Sequence, residues 1–257
     1  MPQIFEPKFS ALESKRFGFK IYRGNLLDID INIIKKIIVD GKADIMILRL
    51  AAEKKHEHYK LVETGFPVLH CDTLTYYFCS LNTVEVQPLR NSLNFDIITP
   101  ATADMLNGLV EDIFANYKNH YFSNPFFKKE LILKGYQEWA GTFLHEVDNT
   151  KFSWLVKFED ELIGFAMCSI DSENTCEGVL YGVKSKFSGR GVYSDIVRFT
   201  QKYFKDMGIK KMVVSTQIQN YSVQKVWVKE GFNLKNAFDT YHINCFLTTN
   251  TNKELRL

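Results

Sequence analysis

The sequence predicts an α/β protein built on a mixed sheet, and three observations carry that prediction. Apolar runs of strand length alternate with stretches of helical period along most of the chain. Glycines stand where helices would end, at Gly65, Gly208 and Gly231, the place where a left-handed residue closes a helix. The second half reads α-α-β-β-β-α-β-α-β, an order that needs both antiparallel hairpin pairing and parallel crossover pairing.

The elements follow in order. ADIMILRL (43–50) is a strand, EKKHEHYKLVETGF (53–66) a helix closed at Gly65, and VLHCDTLTYYFCSL (68–81) a strand. The polar stretch QPLRNSLN then marks a boundary near 90–98, dividing an N-terminal α/β domain (1–97) from a second domain (98–257). MLNGLVEDIFANY (105–117) sets Leu106, Leu109, Val110, Ile113 and Phe114 on one helical face. The aromatic loop NHYFSNPFF leads into a second helix, KELILKGYQEWAGTF. SWLVKFEDELIGFAMCSI is a hairpin turning at Glu159-Asp160-Glu161, and EGVLYGV (177–183) is a further strand. A helix over 192–206, the strand KKMVVSTQI, the helix SVQKVWVKEGF and the strand AFDTYHINCFL complete the order. The polar tail 248–257 is expected to fray. Residues 44–77 also repeat the pattern of 210–243 at an offset of 166. Met46 falls on Met212, Val62 on Val228 and Gly65-Phe66 on Gly231-Phe232.

Composition narrows the function. Of 257 residues 46% are hydrophobic and 24% charged, and 32 basic side chains nearly balance 30 acidic ones, so nothing draws the whole chain to nucleic acid. The 21 Phe and 12 Tyr come without a basic stripe and read as core. No apolar run reaches the roughly 18 residues of a membrane span, and the start lacks the pattern of a signal peptide. Five dispersed cysteines without CxxC spacing fit a reduced, cytoplasmic protein. His56 and His58 point to different faces of a helix and make a poor metal pair, so no metal is expected.

The chemistry concentrates at SKFSGRGVYSDIV (185–197), where a strand delivers a glycine loop into a helix start. Gly189 and Gly191 permit positive φ and close approach to the backbone, and a helix N-terminus attracts anions. These residues alone fit a phosphate cradle or a plain turn.

Taken together, YGVKSKFSGRGVYSDIV and NYSVQKVWVKEGF resemble the GNAT superfamily of acyl-CoA-dependent N-acyltransferases over about 100–246. Val183 stands eight residues before Gly191, and Asn220 eleven before Gly231, as in that family. The resemblance implies a GNAT fold preceded by a truncated GNAT-like domain, with acyl-CoA as co-substrate. It assigns CoA contacts to Val183, Ser188, Gly189, Arg190, Gly191, Val192, Tyr193, Ser194 and Asn220. It gives the Val183 N–H an oxyanion role, with strands 177–183 and 211–218 splayed around the pantetheine arm. Two positions depart from the pattern: Ser188 replaces Gln or Arg, and Tyr193 replaces a small residue. Trp227 occupies the place of a tyrosine that protonates the departing thiolate, and an indole N–H cannot supply a proton near neutral pH. Tyr181, Tyr193 and Tyr221 are nearby phenols by sequence, and Glu177 is a general-base candidate or a surface strand residue.

The two-part layout, with HYFSNPFF…YQEWAGTF, is similar to the dTDP-fucosamine acetyltransferase group of nucleotide-sugar N-acyltransferases. That likeness implies a dTDP-linked amino sugar acceptor contacted by His120, Tyr121 and Asn124, a role in lipopolysaccharide or O-antigen synthesis, and a homodimer. The acyl group is acetyl or a larger one such as 3-hydroxybutyryl. The alternatives are a GNAT acting on a polyamine, amino acid or protein amine, and a module that binds CoA without turnover.

Overall fold

A computed structural model describes residues 4–144, 149–172 and 174–246; the tail 248–257 lies outside them. In chain order the elements are β1 (Phe5–Phe9), α1 (Ala11–Phe17), β2 (Ile21–Leu26), α2 (Ile31–Gly41), β3 (Ile45–Ala51), β4 (Val68–Ser80) and β5 (Leu93–Ile97). They continue as α3 (Ala103–Phe114), α4 (Lys129–Gly141), β6 (Lys151–Phe158), β7 (Glu161–Ser172), β8 (Thr175–Val183), α5 (Val192–Asp206), β9 (Lys211–Gln217), α6 (Tyr221–Lys229) and β10 (Asn233–Asn244). The order from α3 to β10 is the one the periodicity predicts, and the architecture is mixed α/β. The helix expected before Gly65 is present as a 3-10 helix over residues 52–64, kinked at Lys54. The cause lies in its buried residues, His58, Leu61 and Thr64, which recur every three positions, the spacing that a 3-10 helix brings onto one line.

The described residues divide into two compact units. The first holds residues through Thr75, Lys118–Ile132, and those from Asn236 on. Here β2 and β3 pair in parallel along their whole length, from Ile21 opposite Ile45 to Leu26 opposite Leu50. β10 pairs antiparallel with β3, from Phe238 opposite Ala51 to Asn244 opposite Ile45. One face of this sheet is apolar: Leu26, Met46, Leu48, Leu50, Tyr241 and Ile243 pack with Ile34 and Ile38 of α2 and with Leu61.

The second unit holds Tyr76–Tyr117 and Leu133–Lys235. β5, β6, β7 and β8 form an antiparallel run, and β8 pairs in parallel with β9. α5 lays Ile196, Val197 and Phe204 on one face of this sheet, where Trp154 packs edge-on against Phe199 and Phe204. Ile113 of α3 reaches the opposite face, beside Phe165 and Gly182.

The repeat is visible in the elements, because β3 and β9 have the same bounds at the offset of 166. The closing strands are exchanged. The first unit is completed by β10, which follows β9 in the chain, and the second includes residues 76–80 of β4, which follows β3.

Candidate active site

The second unit gathers most of the residues singled out in the glycine-loop region. β8 and β9 pair only from Thr175–Lys211 to Gly178–Val214, although both strands run on, to Val183 and Gln217. The pairing ends at a bulge. Opposite β7, Gly178 faces Cys168 and Leu180 faces Met167, which leaves Val179 as an extra residue on β8. A bulge bends its strand and sharpens the twist, so β8 leaves β9 at this point. Beyond it, the Lys184 N–H donates to the Ile163 carbonyl of β7 at 2.8 Å. N–H groups alternate sides along a strand, so the Val183 N–H points away from β7, toward the side where β9 no longer pairs.

From Val183 the chain turns into the glycine loop. Gly189 has φ 77° and Gly191 φ 83°, both in the left-handed region. Gly191 is the N-cap of the 15-residue α5, and no side chain caps the N–H groups of the first turn, which includes Val192, Tyr193 and Ser194. Uncapped N–H groups at the positive end of a helix dipole suit a phosphate. The Arg190 guanidinium lies 5.5 Å from the centre of the Phe187 ring, and Ser188 is exposed.

The loop is held from below. The carboxylate of Asp195, fully buried, accepts the backbone N–H groups of Arg90 and Asn91, both at 2.9 Å, and the Asn91 side chain at 2.8 Å. Asn91 Nδ2 also donates to the Arg190 carbonyl at 3.2 Å. Arg198, one turn on, donates to Glu230 through Nε at 2.8 Å and Nη2 at 2.9 Å, and to the Pro88 carbonyl at 3.0 Å. Part of the stretch that looks like a polar boundary is thus strapped to α5. Its partners lie about a hundred residues away, beyond the reach of any local pattern.

At the open end of β9, Asn220 is the N-cap of α6, and its Nδ2 donates to Thr216 Oγ1 at 3.0 Å. Tyr117, which sequence reading did not single out, donates to Gln217 Oε1 and lies 3.4 Å from Thr216 Oγ1. Trp227 is buried against Tyr77 and Phe232, and its Nε1 has no hydrogen-bond acceptor. The indole N–H nonetheless lies near enough to the Tyr193 hydroxyl to favour its ionised form, outside full hydrogen-bond geometry. Burial, the larger effect, pushes the Tyr193 phenol up. Of the other phenols, Tyr221 is exposed. The Tyr181 hydroxyl donates to Thr200 Oγ1 at 2.9 Å and touches Cys168 Sγ at 3.1 Å, inside the α5 packing, where burial raises it further. Glu177 sits in the paired stretch of β8, six residues from Val183 and roughly 20 Å along an extended strand, so it does not join this group. A cleft of about 270 Å³ beside β5 and β6, lined by Ile98, Lys151 and Tyr203 among others, contains none of these residues.

His120, Tyr121 and Asn124 belong to the first unit and are tied into it. Asn124 Nδ2 donates to Asn244 Oδ1 at 2.9 Å and to His242 Nδ1 at 3.1 Å, and its Oδ1 accepts the Phe126 N–H at 3.2 Å. His242 Nδ1 is therefore an acceptor, and its Nε2–H donates to His120 Nδ1 at 2.8 Å. Burial, with Arg23 and Arg49 nearby, pushes His242 down to about 3, and burial holds His120 neutral as well. Tyr121 donates to Glu13, which pairs with Arg23 at 3.0 Å.

Among its described residues the first unit has no counterpart of the glycine site. The β2–β3 ladder never opens, and Asp30 caps α2 with its own carboxylate, accepting the N–H groups of Asn32 at 3.0 Å and Ile33 at 3.1 Å. Among the described residues no group of three or more His, Cys, Asp or Glu is placed to hold a metal, and no helix is long and apolar enough to cross a membrane.

Residues 111–232 match the model of the Acetyltransferase (GNAT) family, a span that contains the opened strands, the glycine loop, α5 and α6. No curated protein matches the sequence. Among solved structures, a functionally unknown conserved protein from Staphylococcus epidermidis ATCC 12228 is similar over 95% of this chain and 93% of its own, with TM-score 0.63 and 12% identity. A GCN5-related N-acetyltransferase from Kribbella flavida is similar over 86% of this chain and 81% of its own, with TM-score 0.58 and 12% identity. A tandem GNAT protein from the clavulanic acid biosynthesis pathway is similar over 88% and 75%, with TM-score 0.55 and 9% identity. At these identities the likeness establishes the GNAT fold.

Proposed function

We propose, for a chain with the GNAT fold whose residues 111–232 match the GNAT acetyltransferase family, that it transfers an acyl group from acyl-CoA to an amine. One observation carries this reading: β8 opens from β9 at the Val179 bulge and runs into an uncapped helix N-terminus, with the Val183 N–H facing the opening. The N–H groups of 189–194 would hold the pyrophosphate of CoA, and the gap would receive its pantetheine arm as an added strand. The amine attacks the thioester carbonyl, the oxygen takes negative charge opposite the Val183 N–H, and the C–S bond breaks to release CoA thiolate. The attacking nitrogen loses a proton to water, and the thiolate gains one. Trp227 cannot give that proton; Tyr193, the phenol beside the indole, is the candidate donor, although burial raises it and makes it a weaker acid.

For the acceptor we propose the amino group of a dTDP-linked amino sugar, in cytoplasmic synthesis of cell-surface polysaccharide. Its support is the resemblance of the 119–143 segment, and acetyl and 3-hydroxybutyryl are the acyl groups to try first. His120, Tyr121 and Asn124 would act by fixing the shape of their loop, since their polar atoms are engaged within the fold. Tryptophan at the place of the usual proton donor favours a second reading, a domain that binds CoA without turnover. Free-thiol release separates the two. Acetyl-CoA and 3-hydroxybutyryl-CoA are each offered with dTDP-amino sugars, polyamines and amino acids. Thiol formed with an amino sugar alone supports the proposal, thiol with another amine moves the acceptor, and CoA binding without thiol release supports the second reading.

A further inference from the structure

The polar face of the first unit carries unmatched hydrogen-bonding groups that the acyl-transfer reading does not use. Residues directly opposite in a sheet share a face, and so do residues two apart along a strand. Arg23 of β2 lies opposite Ile47 of β3, and Ile47 opposite His242 of β10. Asn25 lies opposite Arg49, and Arg49 opposite Thr240. Arg23, Asn25, Arg49, Thr240, His242 and Asn244 therefore stand on one face, the reverse of the apolar one, interspersed with the buried Ile21, Ile45, Ile47 and Phe238. A sheet face built for packing alone would repeat the apolar pattern.

The accounts of this face do not close. The Arg49 side chain forms no hydrogen bond or ion pair among the described residues, and its Nε is buried without an acceptor. Thr240, wholly inaccessible to solvent, has an unpartnered Oγ1 in the next position of the same row. Arg23 is matched by Glu13 at 3.0 Å, and among the described residues no carboxylate pairs with the guanidinium of Arg49. A buried donor without an acceptor costs free energy that a native structure normally recovers through a partner. Arg23 keeps 28% of its side chain accessible and Arg49 is also partly exposed, whereas Arg49 Nε and Thr240 Oγ1 are buried, so a ligand would reach them only as neighbouring side chains give way.

We infer that this face binds a small anionic molecule through an oxyanion, a carboxylate or a phosphate, held by the Arg49 guanidinium and the Thr240 hydroxyl. A planar guanidinium with a free Nε–H presents two parallel donors to such a group, and the adjacent hydroxyl adds a third. The site lies wholly within the first unit, uses none of the glycine-loop residues, and stands whether or not the chain is an acyltransferase.

Arginine Nε–H resonances in the ¹⁵N-labelled full chain give a direct test. The Arg49 signal is assigned by its loss in Arg49→Lys. The wild-type chain is then titrated with dTDP and, separately, with acetate, each up to about 10 mM, with CoA present to fill the glycine loop. Saturable movement of the Arg49 signal with either probe is the expected result. Response to dTDP identifies a phosphate site, and response to acetate alone a carboxylate site. Thr240→Val should then weaken binding about tenfold, the scale of one hydrogen bond to a charged group. A signal unmoved by both probes overturns the inference. So does a signal that shifts in Glu13→Gln and ignores anions, because Arg49 would then be paired with Glu13 Oε2 in solution.

Discussion

Gly191→Ala tests the phosphate cradle more cleanly than a larger substitution, because the structure supplies a matched control. Gly191 and Gly208 both have φ 83°, at opposite ends of α5. A Cβ at Gly191 would meet Arg90 Cδ and Asn91 Nδ2 at 3.7 Å, ordinary contact, and one at Gly208 would meet nothing within 4 Å. Neither alanine clashes, so each should cost only the left-handed backbone penalty, about 1–2 kcal/mol. For a chain of this size that lowers Tm by roughly 2–8 °C in both variants. Their CoA affinities should differ. At Gly191, relief of the left-handed strain would tilt the N–H groups proposed to hold the diphosphate, and Kd should rise at least tenfold, about 1.4 kcal/mol, while Gly208→Ala binds CoA like the wild type. Calorimetric titration with CoA, run beside thermal melts, separates the two effects. Equal CoA affinity in the two variants would show that the glycine loop is only a turn.

Three further outcomes are expected. Tyr193→Phe should lower kcat by 10²-fold or more if its phenol protonates the thiolate, whereas Trp227→Phe should cost less than about tenfold; comparable kcat values for Tyr193→Phe and the wild type would remove the phenol from the mechanism. Arg198→Met leaves the buried carboxylates of Asp195 and Glu230 without their cation, and urea unfolding should show a loss of about 3–5 kcal/mol, against under 1 for the exposed Lys202→Met. His120 and His242 are neutral when folded, yet in the unfolded chain each takes up a proton below its ordinary value of 6.5. Their folded pKa values are depressed, so stability is full above pH 6.5. It should fall on acidification by about 1.4 kcal/mol per pH unit for each histidine, toward pH 3 for His242. A His242→Asn variant that loses stability between pH 6 and about 4 as steeply as the wild type would contradict this.

What could be read in the sequence was local. Leu106, Leu109, Val110 and Phe114 are spaced as one buried helical face, and all four are buried in α3. Gly65, Gly208 and Gly231 take the positive φ that their places at helix ends suggest. β1 and β2 escaped the same reading for physical reasons. β1 is five residues long and contains Pro7, and β2 spends Arg23 and Asn25 on a polar face, so neither shows an apolar run. In the sequence Tyr117 only ends the helical period of 105–117, and the fold alone brings its hydroxyl to Thr216 and Gln217. The Asp195 network was hidden in the same way, because a buried aspartate in a helix and a polar stretch before β5 become partners only after folding.

The exchange of closing strands was equally invisible, and the reason shows why only one copy of the repeat retains a binding geometry. β4 and β10 each follow a glycine-capped helical segment, and nothing in their alternation says which middle strand each will join. What differs is the strand pair ahead of them. In the second copy, one residue too many at Val179 breaks the β8–β9 ladder after four pairs, and the loop beyond it ends in two left-handed glycines at an uncapped helix. In the first copy, β2 and β3 stay paired through all six positions, and a carboxylate already occupies the helix N-terminus. An extra residue in one strand, and glycine instead of aspartate as a cap, are therefore sufficient to separate a copy that can receive a thioester from one that cannot. Removing Val179 should restore the register and close the gap. That deletion should abolish CoA binding while leaving a folded chain, and retained CoA affinity in a folded deletion variant would mean that the opening of β8 from β9 has another cause.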